Sequence, residues 1–318
     1  MNENYLWDKS GEPDPEIQRL ENLLSPLGHQ PDKTPVLRIP RPTRLPLLLA
    51  AAASLLVIAG ALWMVWQRSR PAWQVATVAG SPSVKRLAKG QSLSTDAQSR
   101  ARLDLDEVGQ VDVEPNTQLS VLTLREDEQR LALAHGTIHA RIWAPPGRFF
   151  VNTPSAQTVD LGCEYTLNVD ASGVGLVRVS VGWVAFENDG RESFIPAGAA
   201  CVTRPHKGPG IPYYEDASQA LVDAAHHFDA DADRAAIGVM LSEARQRDAI
   251  SLWHLLRRVQ AGDRGPVYDR LAELIKMPAD VTREGVLAGN AQMIDSVWDT
   301  LDLGNTSWWR MWKSRMPK

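Results

Sequence analysis

"SRARLDLDEVGQVDVEPNTQLSVLTL", Ser99 to Leu124, decides the fold. Apolar residues fall on alternate positions: Leu103 and Leu105, Val111 and Val113, Leu119 and Val121. A period of two puts them on one face of a strand, and Gly109, Pro115 and Asn116 mark the turns between runs. "RLALAHGTIHARI" repeats the pattern, and "GLVRVSVGWVAFE" sets Val177, Val179 and Val181 on one face. Turns recur every 8–12 residues or so across 73–206, with no helical period. Many short strands with frequent turns predict a sandwich, barrel or β-solenoid rather than a parallel α/β sheet.

Downstream of that region the period changes. "DASQALVDAAHHF", "DRAAIGVMLSEARQ", "ISLWHLLRRVQ", "GPVYDRLAELIK" and "VTREGVLAGNAQMIDSVWDTL" each read as an amphipathic helix. Residues 215–318 are therefore expected to form an all-α domain, a small bundle in its own right. "KGPGIPYY", Lys207 to Tyr214, reads as the hinge between the two regions.

Upstream lies "LPLLLAAAASLLVIAGALWMVW", Leu45 to Trp66, with no charge between Arg44 and Arg68. Such a run can cross about 30 Å of hydrocarbon as a helix. Trp63 and Trp66 suit an interfacial aromatic belt, and about 44 residues precede the run, unlike a cleaved signal peptide. A single transmembrane helix is expected over 45–67. Lys33, Arg38, Arg41 and Arg44 outnumber Arg68 and Arg70, with Lys85 and Arg86 further off. This bias favours a cytoplasmic N-terminus and extracytoplasmic C-terminal domains at the bacterial inner membrane.

Residues 1–44 hold one more element. In "EPDPEIQRLENLLSPL", Asp14 is a candidate N-cap, Pro15 fits the first helical position and Glu16 the first turn. Ile17, Leu20, Leu23, Leu24 and Leu27 follow at helical spacing. A helix this short cannot hold a core, so its apolar face needs a partner or the membrane surface. Ile17, Leu20, Leu24 and Leu27 are the candidate cytoplasmic partner contact. "HQPDKTPVLRIPRPT" is a Pro-rich linker.

Several chemistries are disfavoured. Thirty-four basic residues are balanced by 38 acidic ones, a net charge of -4, which is no nucleic-acid footprint. Asp229, Asp231 and Asp233 resemble the start of a calcium loop, but Arg234 stands where glycine is needed and Met240 where a glutamate should be. His226 and His227 are adjacent and diverge on a helix, unlike paired zinc ligands. Gly173 to Gly175 has no following helix and is no phosphate loop. No catalytic, cofactor or metal constellation emerges, and an enzyme is not expected. The tail "NTSWWRMWKSRMPK" could touch a membrane or an anionic envelope polymer.

The strand region resembles the extracytoplasmic domain of the FecR family, membrane-anchored regulators of alternative sigma factors. The features occur in order over about 75–205. "VATVAGSPSVKRLAKGQSLSTD" is similar to the opening strand and Gly turn, and "RLDLDEVGQVDVEPNTQL" to the strand, turn and strand that follow. "LAHGTIHARI" resembles the G-x-[IV] strand. "FFVNTPSAQTVDLGCEYTLNV" resembles Thr-Pro-x-Ala, Leu-Gly-Thr and aromatic-x-Val; "VRVSVGWVAFE" and "FIPAGAACV" resemble the final strands. The resemblance implies an all-β, solenoid-like or twisted domain that receives an outside cue and signals through the span to a sigma factor. Two departures stand out. Cys163 occupies a position where Thr is usual, and the helical tail replaces the small α/β domain of the iron-transport members, so iron sensing is not carried over.

Cys163 and Cys201 are the two cysteines of the chain. In an oxidising compartment a sole pair is expected to bridge, closing about 38 residues for roughly 3–4 kcal/mol. The alternative is two buried thiols acting as small hydrophobes. The expected function is transmembrane signalling, with a sigma factor inside and a protein or polymer partner outside. The alternative function is an envelope scaffold without a transcriptional role.

Overall fold

The computed structural model describes residues 9–28, 54–61, 63–64, 71–80, 84–301 and 303. The chain divides into two compact units, Met1–Trp66 and Gln67–Lys318.

In the first unit, α1 spans Pro15–Leu24. Asp14 caps it, its carboxylate accepting from the Glu16 amide at 3.0 Å, and Pro15 occupies the first turn, where no N–H is needed. Pro26 lies in the 3-10 turn Ser25–Leu27 that ends the element. Residues 54–61 and 63–64 are helical. Leu55, Leu56, Val57, Ile58, Trp63 and Met64 there are each more than half exposed. No helix among the described residues is long and apolar enough to cross a membrane. The run expected to do so, 45–67, lies partly outside them: residues 45–53, 62 and 65–67 are not described.

Among the described residues the second unit opens with sixteen strands. They are β1 Ala72–Ala79, β2 Arg86–Ala88, β3 Ser92–Ser94, β4 Arg100–Asp104, β5 Gly109–Val113, β6 Gln118–Leu124, β7 Gln129–Ile142, β8 Phe149–Asn152, β9 Gln157–Asp160, β10 Glu164–Val169, β11 Gly175–Val181, β12 Trp183–Asn188, β13 Arg191–Pro196, β14 Ala199–Arg204, β15 Gly208–Pro209 and β16 Tyr213–Tyr214. The expected alternation is met: Leu103, Leu105, Val111, Val113, Leu119 and Val121 are all buried.

The strands form two sheets that share β7. Its first half pairs with β6 and β8, its second half with β5 and β10. One sheet runs β2-β1-β4-β5-β7-β10-β11-β14, with β15 and β16 on β14. The other runs β3-β6-β7-β8-β9-β12-β13. The strand changes sheets at Gly136, whose φ is +101°. A side chain there would collide with the backbone of Thr117, so only glycine permits the close approach.

A solenoid coils its strands into parallel ladders. Here β7 with β8 is the one parallel pair among the described residues, and the path of strands does not close on itself. The β-rich expectation holds, but antiparallel pairing replaces the solenoid, because short turns such as Asp189–Gly190 join neighbouring strands directly.

The helices are α2 Gln219–Asp231, α3 Arg234–Glu243, α4 Ala249–Leu256, α5 Arg264–Leu274, α6 Arg283–Leu287 and α7 Ala291–Val297. Ser218, Asp233, Thr282 and Asn290 cap four of them through side-chain oxygens. Their buried residues belong to the same core as the strands. The segment read as a hinge belongs to the β structure instead: β15 and β16 both pair with β14, and Tyr213 and Tyr214 are buried. Paired aromatic residues favour a strand over a free linker.

Candidate functional site

The N-terminal contact residues lie where the periodicity puts them. Leu20, Leu24 and Leu27 are 57%, 54% and 80% exposed, Ile17 is half-buried, and α1 buries no residue. Leu23, from the same apolar run, is also exposed. Isolated helices of this length are marginal in water, and the apolar stripe of α1 is left uncovered.

The cysteines are not bridged; both are free and buried. The register explains why. Cys201 pairs with Val177 on β11, while Cys163 directly precedes Glu164, which pairs with Val181 on the other side of β11. Two strand spacings and four residues separate them by about 16 Å. A disulfide needs Cα atoms within about 7 Å. The expected bridge therefore gives way to the alternative of two buried thiols. Cys201 Sγ donates to the Gly210 carbonyl at 3.3 Å, and burial pushes its thiol up to about 12.

Cys163 keeps different company. Its thiol donates to Asp160 Oδ2 at 2.7 Å, and the Gly162 amide donates to Oδ1 at 2.8 Å. Burial pushes the Asp160 carboxyl up to about 7 and the Cys163 thiol well above its ordinary value. Tyr165, also buried, is pushed well up by burial and then by the Asp160 charge; its hydroxyl has no hydrogen-bond partner among the described residues. Sequence reasoning missed Asp160. The signal was available: "TVDLGCEY" places a carboxylate at the buried end of a strand.

A second buried charge holds the helices to the strands. Arg258 lies 3.0 Å from Asp229, with side chains 6% and 4% exposed. Arg258 also donates to Ser193 Oγ on β13 at 2.6 Å and to the Gly210 carbonyl at 3.0 Å. Asp229 accepts from the Ile211 amide at 2.6 Å. Burial lowers the Arg258 guanidinium to about 10 and raises Asp229, while each charge offsets the other's shift. Nearby, the Phe194 amide of β13 donates to His254 Nε2 at 3.4 Å, and burial holds that imidazole well below its ordinary range. The neutral ring thus accepts from a backbone donor on an edge strand.

The three aspartates that resemble a calcium loop are spread apart. Asp229 is in the ion pair, Asp231 is exposed 3.6 Å from Lys207, and Asp233 caps α3 by accepting from the Ala235 amide at 2.9 Å. No group of three metal-type ligands occurs among the described residues. His226 packs edge-on to Tyr213, and burial lowers it. Trp298, upstream of the tail, is buried against Phe194 and Trp253, with ring centroids 4.9 and 4.6 Å away. Trp308, Trp309 and Trp312 lie outside the described residues. A cleft of about 510 Å³ lies between the Asn152–Gln157 turn and the Glu187–Glu192 hairpin.

Two sheets sharing β7, with helices packed into the same core, define a β domain extended by a helical region. More specifically, residues 91–185 match the family model described as FecR protein, so the chain carries a FecR domain. The match runs from the start of β3 into β12 and takes in both sheets at their shared strand. No curated protein matches the chain. Two crystal structures of a candidate anti-sigma factor from Parabacteroides distasonis, at 1.65 and 2.50 Å, resemble it at 16% identity and a TM-score of 0.35. Each alignment covers 42% of this chain and 63% of the other, so the chain spans under two thirds of those proteins.

Proposed function

We propose that this protein is a single-span FecR-type regulator that binds a sigma factor through α1 and couples it to the state of the β domain. The observation that carries this reading is the stripe Ile17, Leu20, Leu24 and Leu27, capped into a helix yet left largely uncovered. A FecR domain in the other compact unit supports it. So does the uncharged run Leu45 to Trp66, long enough to separate the two by a bilayer. In this arrangement α1 faces the cytoplasm, and the strands and helices from residue 71 face the extracytoplasmic space. A cue there alters the second unit, and the span passes that change inward. Binding energy at α1 comes from burying the leucines in an apolar groove.

The test is co-purification of full-length protein, extracted from membranes in mild detergent, with co-expressed sigma factors. Capture that is lost in Leu20→Glu/Leu24→Glu is expected. A membrane-extracted, folded protein that captures no sigma factor would overturn the regulatory reading and favour an envelope scaffold. Recovery of the protein in the soluble fraction would overturn the anchoring alone.

A further inference from the structure

Among the connections that carry the chain from one sheet to the other, two neighbouring ones pack against each other. Leu161, Gly162 and Cys163 carry it from β9 to β10, and Gly182 alone carries it from β11 to β12. Both glycines have positive φ, +83° and +73°. A Cβ on Gly182 would fall on the Gly162 carbonyl oxygen and against Cys163, so the two crossovers are packed together. The Cys163 carbonyl also accepts from the Ile142 amide at 2.9 Å, tying the junction to the end of β7.

Asp160 sits at this junction, 2% exposed, and forms no ion pair among the described residues. Its carboxylate is held by the Cys163 thiol and the turn amides. From β10 the titratable neighbour is Tyr165. From β12, Val184 stands opposite Asp160, and the segment before β8 offers only the Gly147 amide to the Asp160 carbonyl. A carboxylate without a cation is costly to bury ionised and far cheaper to bury neutral.

We propose that Asp160 is a proton-operated latch on the paired crossovers: neutral, it keeps the two sheets locked at this junction; ionised, it loosens residues 160–164 from 181–183. Acid therefore tightens the FecR domain and alkali relaxes it. The direction follows from linkage. The closed form keeps the proton up to about pH 7, while an opened Asp160 releases it in the ordinary carboxyl range. The stabilisation is complete below the ordinary carboxyl range, declines as pH rises, and is gone above about pH 7. Neither the membrane topology nor the sigma-factor partner is needed for the latch to work.

Hydrogen exchange of the full-length protein in detergent, read by mass spectrometry from pH 5.5 to 8.5 and corrected for intrinsic base catalysis, tests it. Between pH 6 and pH 8 the opening equilibrium of peptides covering 157–169 and 179–186 should rise about tenfold. It should level off above pH 8. Asp160→Asn, which mimics the neutral carboxyl, should give a flat profile at the low-pH level. A flat wild-type profile overturns the latch, and so does an equal rise in Asp160→Asn. Should that variant not fold, the wild type decides alone: a rise confined to the crossover peptides supports the latch, and an equal rise in a peptide covering 249–260 overturns it.

Discussion

Arg258 and Asp229 face each other at 3.0 Å inside the unit, and through them α2, the chain after α4, β13 and the Gly210–Ile211 segment are held at one point. A buried pair is costly to form but more costly to break, because the survivor is left charged and unpaired. Arg258→Ala and Asp229→Ala are each expected to destabilise the protein by about 3–5 kcal/mol. The double replacement Arg258→Met/Asp229→Leu should cost less than the sum of the single changes. Denaturant unfolding of the four proteins measures both statements, and strict additivity would contradict the coupling.

Gly182 and Gly238 should respond to alanine in opposite directions. Gly182 combines positive φ with backbone contact to Gly162, so Gly182→Ala should destabilise by at least about 1–3 kcal/mol. Gly238 is exposed on α3 with open space around it, so Gly238→Ala should stabilise by about 0.5–1 kcal/mol. Thermal unfolding of both variants distinguishes strain from propensity.

The α1 surface can be tested apart from the second unit. Leu20→Glu or Leu24→Glu removes apolar contact area and adds a charge to a face with none to pair it. Partner affinity should fall at least tenfold, the loss of about 1.4 kcal/mol or more expected for one anchoring leucine. Unfolding of the unit Gln67–Lys318 should not change. A variant that binds as well as wild type would place the contact elsewhere.

Thiol chemistry should follow the buried, unbridged geometry of Cys163 and Cys201. The native protein should resist alkylation, and denaturation without reductant should release two reactive thiols. Reductant should leave the melting temperature unchanged. One intramolecular bridge on non-reducing peptide mapping would contradict the register described above.

Period and turn chemistry made the strands and helices legible, because each needs only its own neighbours to be recognised. Leu103 and Leu105 read correctly, as did the cap at Asp14. The division of β7 between two sheets was hidden, since the same alternation serves either sheet and a single glycine marks the change. Arg258 in "LLRRVQ" carries no local mark of its role, because its partner Asp229 lies 29 residues away on α2. The disulfide expectation came from counting cysteines; register placed them on opposite sides of β11. The candidate partner face, by contrast, was wholly local and read directly from leucine spacing.

The shared strand also sets the rules for taking the domain apart. A chimera that replaced one sheet would have to cut inside β7, orphaning half of its ladder on each side. Domain grafting should therefore succeed only with both sheets moved as a block, and loop insertions should be accepted at outer hairpin tips such as Asp189–Gly190. Diversification by exchange of modules is closed to this architecture between residues 129 and 142, and point substitution is the route left open there.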